Sequence, residues 1–337
     1  MKKLTTAIIC ILLSINLFAQ ENKVKELVQQ GVDLHDLGKY NEAIAKYKAA
    51  LDIDSKSNDA NYEISYTYMA IGDYDNAIKY SSKVIKQNTT SQPEAYVVLG
   101  SSYDLIGKPQ KAIKTYEEGI EKYPNIPLLH YNLALTCYNT NDYDKGEIEA
   151  QKSISLNPNH GTSHIILAAI MQAKGSKIKA ALPLYYFLML EPSSARSAKQ
   201  LPYLKNILNQ GISKKDDNHI NVNLSLGSMK DKEFGSTETM LSLFCSTRYT
   251  KENEKVSDYD FFIKTTERLF SSISELKKEQ TGWWDIYVSK FAQIKDNNQI
   301  ETFCYYISQT DKSDDIIKWL TGNKDKIAKM HEWIDKK

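Results

Sequence analysis

The chain has 337 residues, 42% of them hydrophobic and 25% charged, which is an ordinary globular composition with length enough for two domains. Lysine and arginine number 43 against 42 acids, and that balance supplies no electrostatic drive toward nucleic acid. A mean hydropathy of -0.48 is that of a soluble chain rather than a membrane-embedded one.

The N-terminus reads Met1, Lys2 and Lys3, followed by an apolar run from Ala7 to Leu13 and on to Phe18 and Ala19. A positive start and an apolar stretch too short to anchor in a bilayer predict an export signal over residues 1–19, cut after the small Ala19. Cys10 follows the bulky Ile9, which argues against lipid attachment there. The expected mature protein is periplasmic or secreted. It has no integral membrane span, because no later apolar stretch reaches spanning length.

Residues 20–195 repeat with a period near 34 residues, marked by three series of small side chains. The first is Gly31, Ser65, Gly100, Ala134 and Ala168; seven positions on come Gly38, Gly72, Gly107, Asn141 and Gly175; twelve positions after the first come Ala43, Ala77, Ala112, Gly146 and Ala180. Each of the five units predicts two amphipathic helices. In the third, Tyr96, Leu99, Gly100 and Tyr103 share one stripe, and Ala112, Ile113, Tyr116 and Ile120 another. The middle series falls where the chain must reverse through positive φ, which glycine and asparagine tolerate. Pro124, Pro158 and Pro192 then stop the second helix of units three to five.

These residues resemble the tetratricopeptide repeat (TPR) family over residues 24–193. The family's tryptophan is absent, its position being held by Leu27, Asn61, Tyr96, His130 and His164, and the first two units lack the closing proline. The resemblance implies an all-α fold, a TPR helix-turn-helix solenoid followed by a second helical domain. It also implies that the first helices line a concave face that takes a protein or peptide. Carried over by register, that face is Val28, Val32, Tyr62, Tyr66, Met69, Val97, Tyr131, Leu135, Tyr138 and Ile165, accompanied by His35, Ser101, Asp104, Ala169 and Gln172. Val28 and Val32 stand where the family's carboxylate-binding members need lysine and asparagine, so that mode of recognition is not expected. Tyrosine instead offers area with little rotamer entropy, suited to a peptide; packing between neighbouring units is the alternative use of each ring.

Beyond Pro192 the register fails. Residues 196–212, with Leu201, Leu204, Leu208 and Ile212 at helical spacing, predict a helix that caps the array. Residues 213–233 read as a linker in which Ile220, Val222, Leu224 and Leu226 alternate with polar residues; this extended segment is expected to lie along a helix groove. Residues 234–337 predict an aromatic-rich helical domain, with Ser257 starting a helix faced by Tyr259, Phe262, Ile263, Thr266 and Phe270. Trp283, Trp284, Trp319 and Trp333 all fall here, as core residues or, alternatively, as a sugar-stacking platform.

The phosphate-loop, zinc-protease, nucleophile-elbow and Cys-x-x-Cys signatures are missing, so no catalytic residue, metal site or cofactor is predicted. His160 and His164 lie four apart but at boundary and packing positions. Cys137, Cys245 and Cys304 make an odd count in the expected mature chain, with a Cys245–Cys304 bond left open. The reading is an exported, non-enzymatic scaffold for a protein or peptide, without nucleic acid. Its alternatives are a C-terminal enzyme or carbohydrate-binding module served by the repeats, and a self-associating structural protein.

Overall fold

A computed structural model of the protein describes residues 2–87, 93–216, 219–276 and 282–335, with side chains from Phe18 onward, and resolves into two units, Met1–Thr136 and Cys137–Lys337. The expected export signal, up to Leu17, therefore lies outside the residues whose side chains are described. Unit 1 holds α1 (Lys2–Asp36), α2 (Tyr40–Ile53), α3 (Asn58–Ala70), α4 (Tyr74–Gln87), α5 (Pro93–Leu105), α6 (Pro109–Lys122) and most of α7 (Pro127–Asn139). Unit 2 begins at the end of α7 and continues through α8 (Tyr143–Leu156), α9 (Gly161–Ala173), α10 (Lys177–Leu190) and α11 (Ser197–Asn209). Among the described residues the fold is all-α but for one hairpin.

Every turn of the predicted middle series has positive φ: 73° at Gly38, 81° at Gly72, 73° at Gly107, 61° at Asn141 and 75° at Gly175. At each, the following residue donates its N–H back across the turn to the helix just ended, as Lys39 does to Leu34 O at 2.9 Å, Asp73 to Tyr68 O at 2.9 Å and Lys108 to Tyr103 O at 2.8 Å. That bond satisfies a carbonyl the helix end would otherwise leave open. The helices α6, α8 and α10 all end two residues before Pro124, Pro158 and Pro192. The first small-residue series has its own cause. A Cβ on Gly31 would sit 2.3 Å from Tyr47 Cε1, and one on Gly100 would sit 2.4 Å from Tyr116 Cε1, so each glycine is the seat of a buried tyrosine on the next helix. In unit 1 the core is built from such contacts, with Ala43, Ile44, Tyr47, Ile64, Tyr68, Ala77 and Val98 in one cluster.

In unit 2, α10 is buried around its circumference: Leu182, Leu184, Tyr185, Phe187 and Leu188 have no exposure. Tyr185 lies among Phe270, Phe291 and Phe303, at centroid distances of 5.2, 5.9 and 6.1 Å, and its hydroxyl meets Thr266 Oγ1 at 2.7 Å. Those rings come from the second half of the chain, on α14 (Asp258–Ser274), α15 (Ser289–Asp296) and α16 (Ile300–Ile307). The division between the two units falls inside α7. An apolar helix needs cover on all sides, and the C-terminal helices provide it.

The segment expected along a helix groove is instead paired. β1 (Ile212–Lys214) and β2 (Ile220–Val222) form an antiparallel hairpin with Ile212 opposite Val222. Ile212 thus leaves the capping-helix stripe, and Gly211, at φ 81°, is the break. Leu226 opens α12 (Leu226–Lys230) and is 72% exposed. The helix α13 (Gly235–Ser246) follows, and α17 (Asp314–Gly322) and α18 (Lys324–Asp335) end the chain. Ser257 caps α14, its Oγ accepting from Asp260 N at 3.0 Å. Cys137, Cys245 and Cys304 are buried, and Cys245 and Cys304 do not pair with each other; burial pushes the Cys245 and Cys304 thiols up to about 11 and about 12 respectively.

The glycine seats predict that Gly100→Ala destabilises unit 1 by about 1–3 kcal/mol through overpacking against Tyr116. Adding Tyr116→Phe should not relieve this, since the clash is with ring carbons, whereas Tyr116→Leu should relieve part of it; urea unfolding followed by circular dichroism reads both.

Candidate peptide-binding site

The first helices of the pairs in unit 1 lie side by side, α1 against α3 and α3 against α5. On their shared face Tyr66 stacks on His35 with centroids 5.1 Å apart and 24° between planes, and Tyr62 stacks on Tyr66 at 6.3 Å and 15°. Tyr40 meets the other side of His35 edge-on at 5.1 Å. The buried Thr67 fixes the imidazole, its Oγ1 lying 2.7 Å from Nδ1. Tyr66 is 41% exposed. Four rings from α1, α2 and α3 therefore stand in a ladder open to solvent.

The other predicted residues divide. Val28, Val32, Tyr62 and Met69 are half-buried and pack against the core cluster of unit 1, so they serve partly as its lining. Val97, Tyr131 and Leu135 are also half-buried. Asp104 accepts from Thr136 Oγ1, and burial raises its carboxyl above the usual range. Ser101 Oγ lies 3.0 Å from the Tyr116 hydroxyl. Tyr138 and Ile165 belong to unit 2, both half-buried, with Tyr138 against Tyr143 at 6.0 Å. Ala169 is half-buried there too, and Gln172 donates to Gln210 Oε1 at 2.7 Å. Tyr40 was not among the predicted residues. Its signal was available, since Tyr74 and Tyr143 recur at the same place after the turn.

Beside the ladder, Glu63 sits one helical turn before Thr67. Burial first, then the carboxylates of Asp59 and Asp36, raise it to about 6. Tyr62 is raised by burial and by Glu63 and Glu94. The face is electronegative.

A TPR repeat model matches residues 31–72, and a tetratricopeptide repeat model matches 59–90, 93–125 and 128–160. Residues 31–160 are tetratricopeptide repeats. The fifth TPR-like pair, α9 and α10, lies beyond those matches and is recognised by its turn at Gly175. Among solved structures, one of MamA is 27% identical, spanning 48% of this chain and 94% of that one with a TM-score of 0.44. A TPR protein of Thermus thermophilus is 18% identical over 55% of this chain and 98% of its own, with a TM-score of 0.46. YrrB, described as a TPR protein with an unusual peptide-binding site, is 17% identical over 52% and 93%, with a TM-score of 0.41. No curated protein is significantly similar to the chain.

Within the TPR register the histidines have structural work. His130 Nε2 lies 2.9 Å from Pro124 O, and His164 Nε2 lies 2.8 Å from Pro158 O, so each donates to the carbonyl of the proline that closed the preceding unit. His164 Nδ1 then accepts from the Tyr287 hydroxyl at 2.8 Å. Burial lowers His164 to about 4, holding it neutral. Among the described residues no group of three metal-ligating side chains comes together, and no helix is long and apolar enough to cross a membrane.

Unit 2 contains a cleft of about 1300 Å³ between α11, the hairpin and α14, with Phe261 and Phe262 among its lining and Lys214, Arg248 and Lys251 around it. None of the four tryptophans lines it. Trp283 is buried against Phe234 and Tyr287, and Trp319 stacks on Tyr305 at 3.9 Å with 4° between planes.

Two pH responses follow. His164 has a folded-state value below its unfolded one, so the stability it contributes above pH 6.5 is lost as pH falls toward 4, by about 3 kcal/mol. Tryptophan fluorescence reads this in unit 2, where all four tryptophans lie, and His164→Gln should flatten the dependence. Glu63 has the opposite sign. Its folded value is raised from 4.5 to about 6, so stability present below pH 4.5 is lost as pH rises through 6. Glu63→Gln should stabilise unit 1 by about 1 kcal/mol at pH 7, after allowance for partial exposure, and by nothing at pH 4, as read by urea unfolding.

Proposed function

We propose that the protein is an exported, non-enzymatic scaffold whose TPR first helices in unit 1 hold a peptide segment of a partner protein. The ladder of Tyr62, Tyr66, His35 and Tyr40 carries this reading. It presents aromatic area in fixed order, with the imidazole pinned by Thr67, so a ligand meets a surface with little left to order. Export rests on the sequence from Met1 to Ala19. The structural roles of His130 and His164 support the non-enzymatic part, because they remove the best acid-base candidates from chemistry.

The cleft in unit 2 favours a second reading, a small-ligand site on Phe261 and Phe262. Self-association would appear in light scattering as a mass that grows with concentration. Peptides selected on mature residues 20–337 from a displayed library test the main reading. Tyr66→Ala should weaken the selected peptides by about tenfold, or about 1.4 kcal/mol, while leaving helix content intact. Peptides that bind the variant as well as the parent would move the site elsewhere.

A further inference from the structure

We infer that the occupant of the unit 1 face is a basic peptide, one that presents lysine or arginine among apolar residues. This rests on the peptide-binding reading above and adds the chemistry of the partner. The cations of unit 1 are sorted by helix. The first helices α3, α5 and α7 contain no lysine or arginine at all. The second helices α2, α4 and α6 carry eight lysines between them, beside six acids, so there every carboxylate can find a cation, whereas on α3, α5 and α7 four acids have none on their own helix. The whole chain is nearly neutral, so this is a partition by position and not a bias of composition. In the repeat part of α1 the lysines are Lys23 and Lys25, held by Glu26 at 2.9 Å and Glu21 at 2.7 Å. Around the ladder stand Asp36, Asp59, Glu63 and Glu94, with Asp104 further along α5. Glu63 has no hydrogen bond or ion pair among the described residues, although it is half-buried. A half-buried carboxylate with acid neighbours is a poor arrangement unless a cation arrives from outside.

The rings make a second, independent argument. Elsewhere in unit 1 the chain lays its own lysines over tyrosines: Lys83 over Tyr80 at 4.9 Å, Lys111 over Tyr103 at 5.5 Å and Lys48 over Tyr68 at 5.9 Å. Among the described residues no lysine or arginine lies over Tyr62 or Tyr66. Tyr66, stacked between His35 and Tyr62 yet 41% exposed, offers what remains of its ring surface beside carboxylates, the setting in which an ammonium or guanidinium gains from both at once. Apolar partners between the cations would lie on Val28, Val32 and Met69. An acidic peptide would meet like charge along α3 and α5.

Three fluorescent peptides of equal length and identical apolar spacing, with lysine, glutamine or glutamate at the intervening positions, test this by anisotropy against mature residues 20–337. The lysine peptide is expected to bind about tenfold or more tighter than the glutamate peptide, with an advantage that shrinks as salt rises. Glu63→Gln, and separately the exposed Asp36→Asn, should narrow the lysine–glutamine gap severalfold and leave the glutamine peptide unchanged, with helix content checked by circular dichroism. Equal affinity for all three peptides, weakened throughout by Tyr66→Ala, overturns the charge inference and keeps the binding face. Failure of all three to bind, or binding indifferent to Tyr66→Ala, overturns both.

Discussion

Helix α10 has large apolar side chains on every side, and the burial of Leu182, Leu184, Tyr185, Phe187 and Leu188 organises everything after the fourth repeat. Each contributes roughly 2 kcal/mol on leaving water, which is available only if neighbours arrive from all directions. The helices α9 and α11 flank it, and α13 and α16 close the remaining sides. The polar groups at its start are met with equal care. Glu238 on α13 accepts from Lys177 N at 2.9 Å and Ile178 N at 3.3 Å, which supplies in trans the cap that Ser176 does not make. Lys177 donates to Gln210 O at 2.8 Å and Ser242 Oγ at 2.9 Å. Such a pair of buried ionisable groups is tolerable because each is bonded several times.

Unit 1 is held by a different device. A glycine seat and a tyrosine fix how closely two helices approach, and a left-handed residue fixes how the chain reverses between them. With both set, the side chains of the first helices have little freedom in where they point. The ladder is a consequence: His35 at the end of α1 can be pinned by Thr67 only because the α1–α2 and α3–α4 pairs stack at a fixed offset. Cations are then distributed by helix, absent from α3, α5 and α7 and present on the second helix of each pair.

The parts that were legible in the sequence are those with steep local physics. Positive φ admits few residues, so Gly38, Gly72, Gly107, Asn141 and Gly175 announced their turns. The spacing then located the first-helix positions, including Tyr62 and Tyr66. What could not be read depended on partners far along the chain. Ile212 fits a helix stripe and a strand equally well until Val222 is known to pair with it. The α10 sequence looked like one more repeat helix, and only its lack of a polar face hinted that it would be enclosed. On α14 the buried set includes Phe261, Thr265 and Leu269, which the stripe through Tyr259 and Ile263 left out, because the helix is covered over a wider arc than one neighbour would require.

The enclosure of α10 also sets an order in time. A chain made from its N-terminus completes α10 well before Phe291 and Phe303 exist, since more than a hundred residues separate Tyr185 from Phe303. At ordinary rates of synthesis that interval is on the order of ten seconds. The repeats of unit 1 are built on contacts close in sequence and can settle as they emerge. The sides of Leu182 to Met189 that α9 and α11 do not cover stay open until the C-terminal helices arrive. For that interval the fifth helix pair carries an apolar surface only partly covered, the kind that holding chaperones recognise.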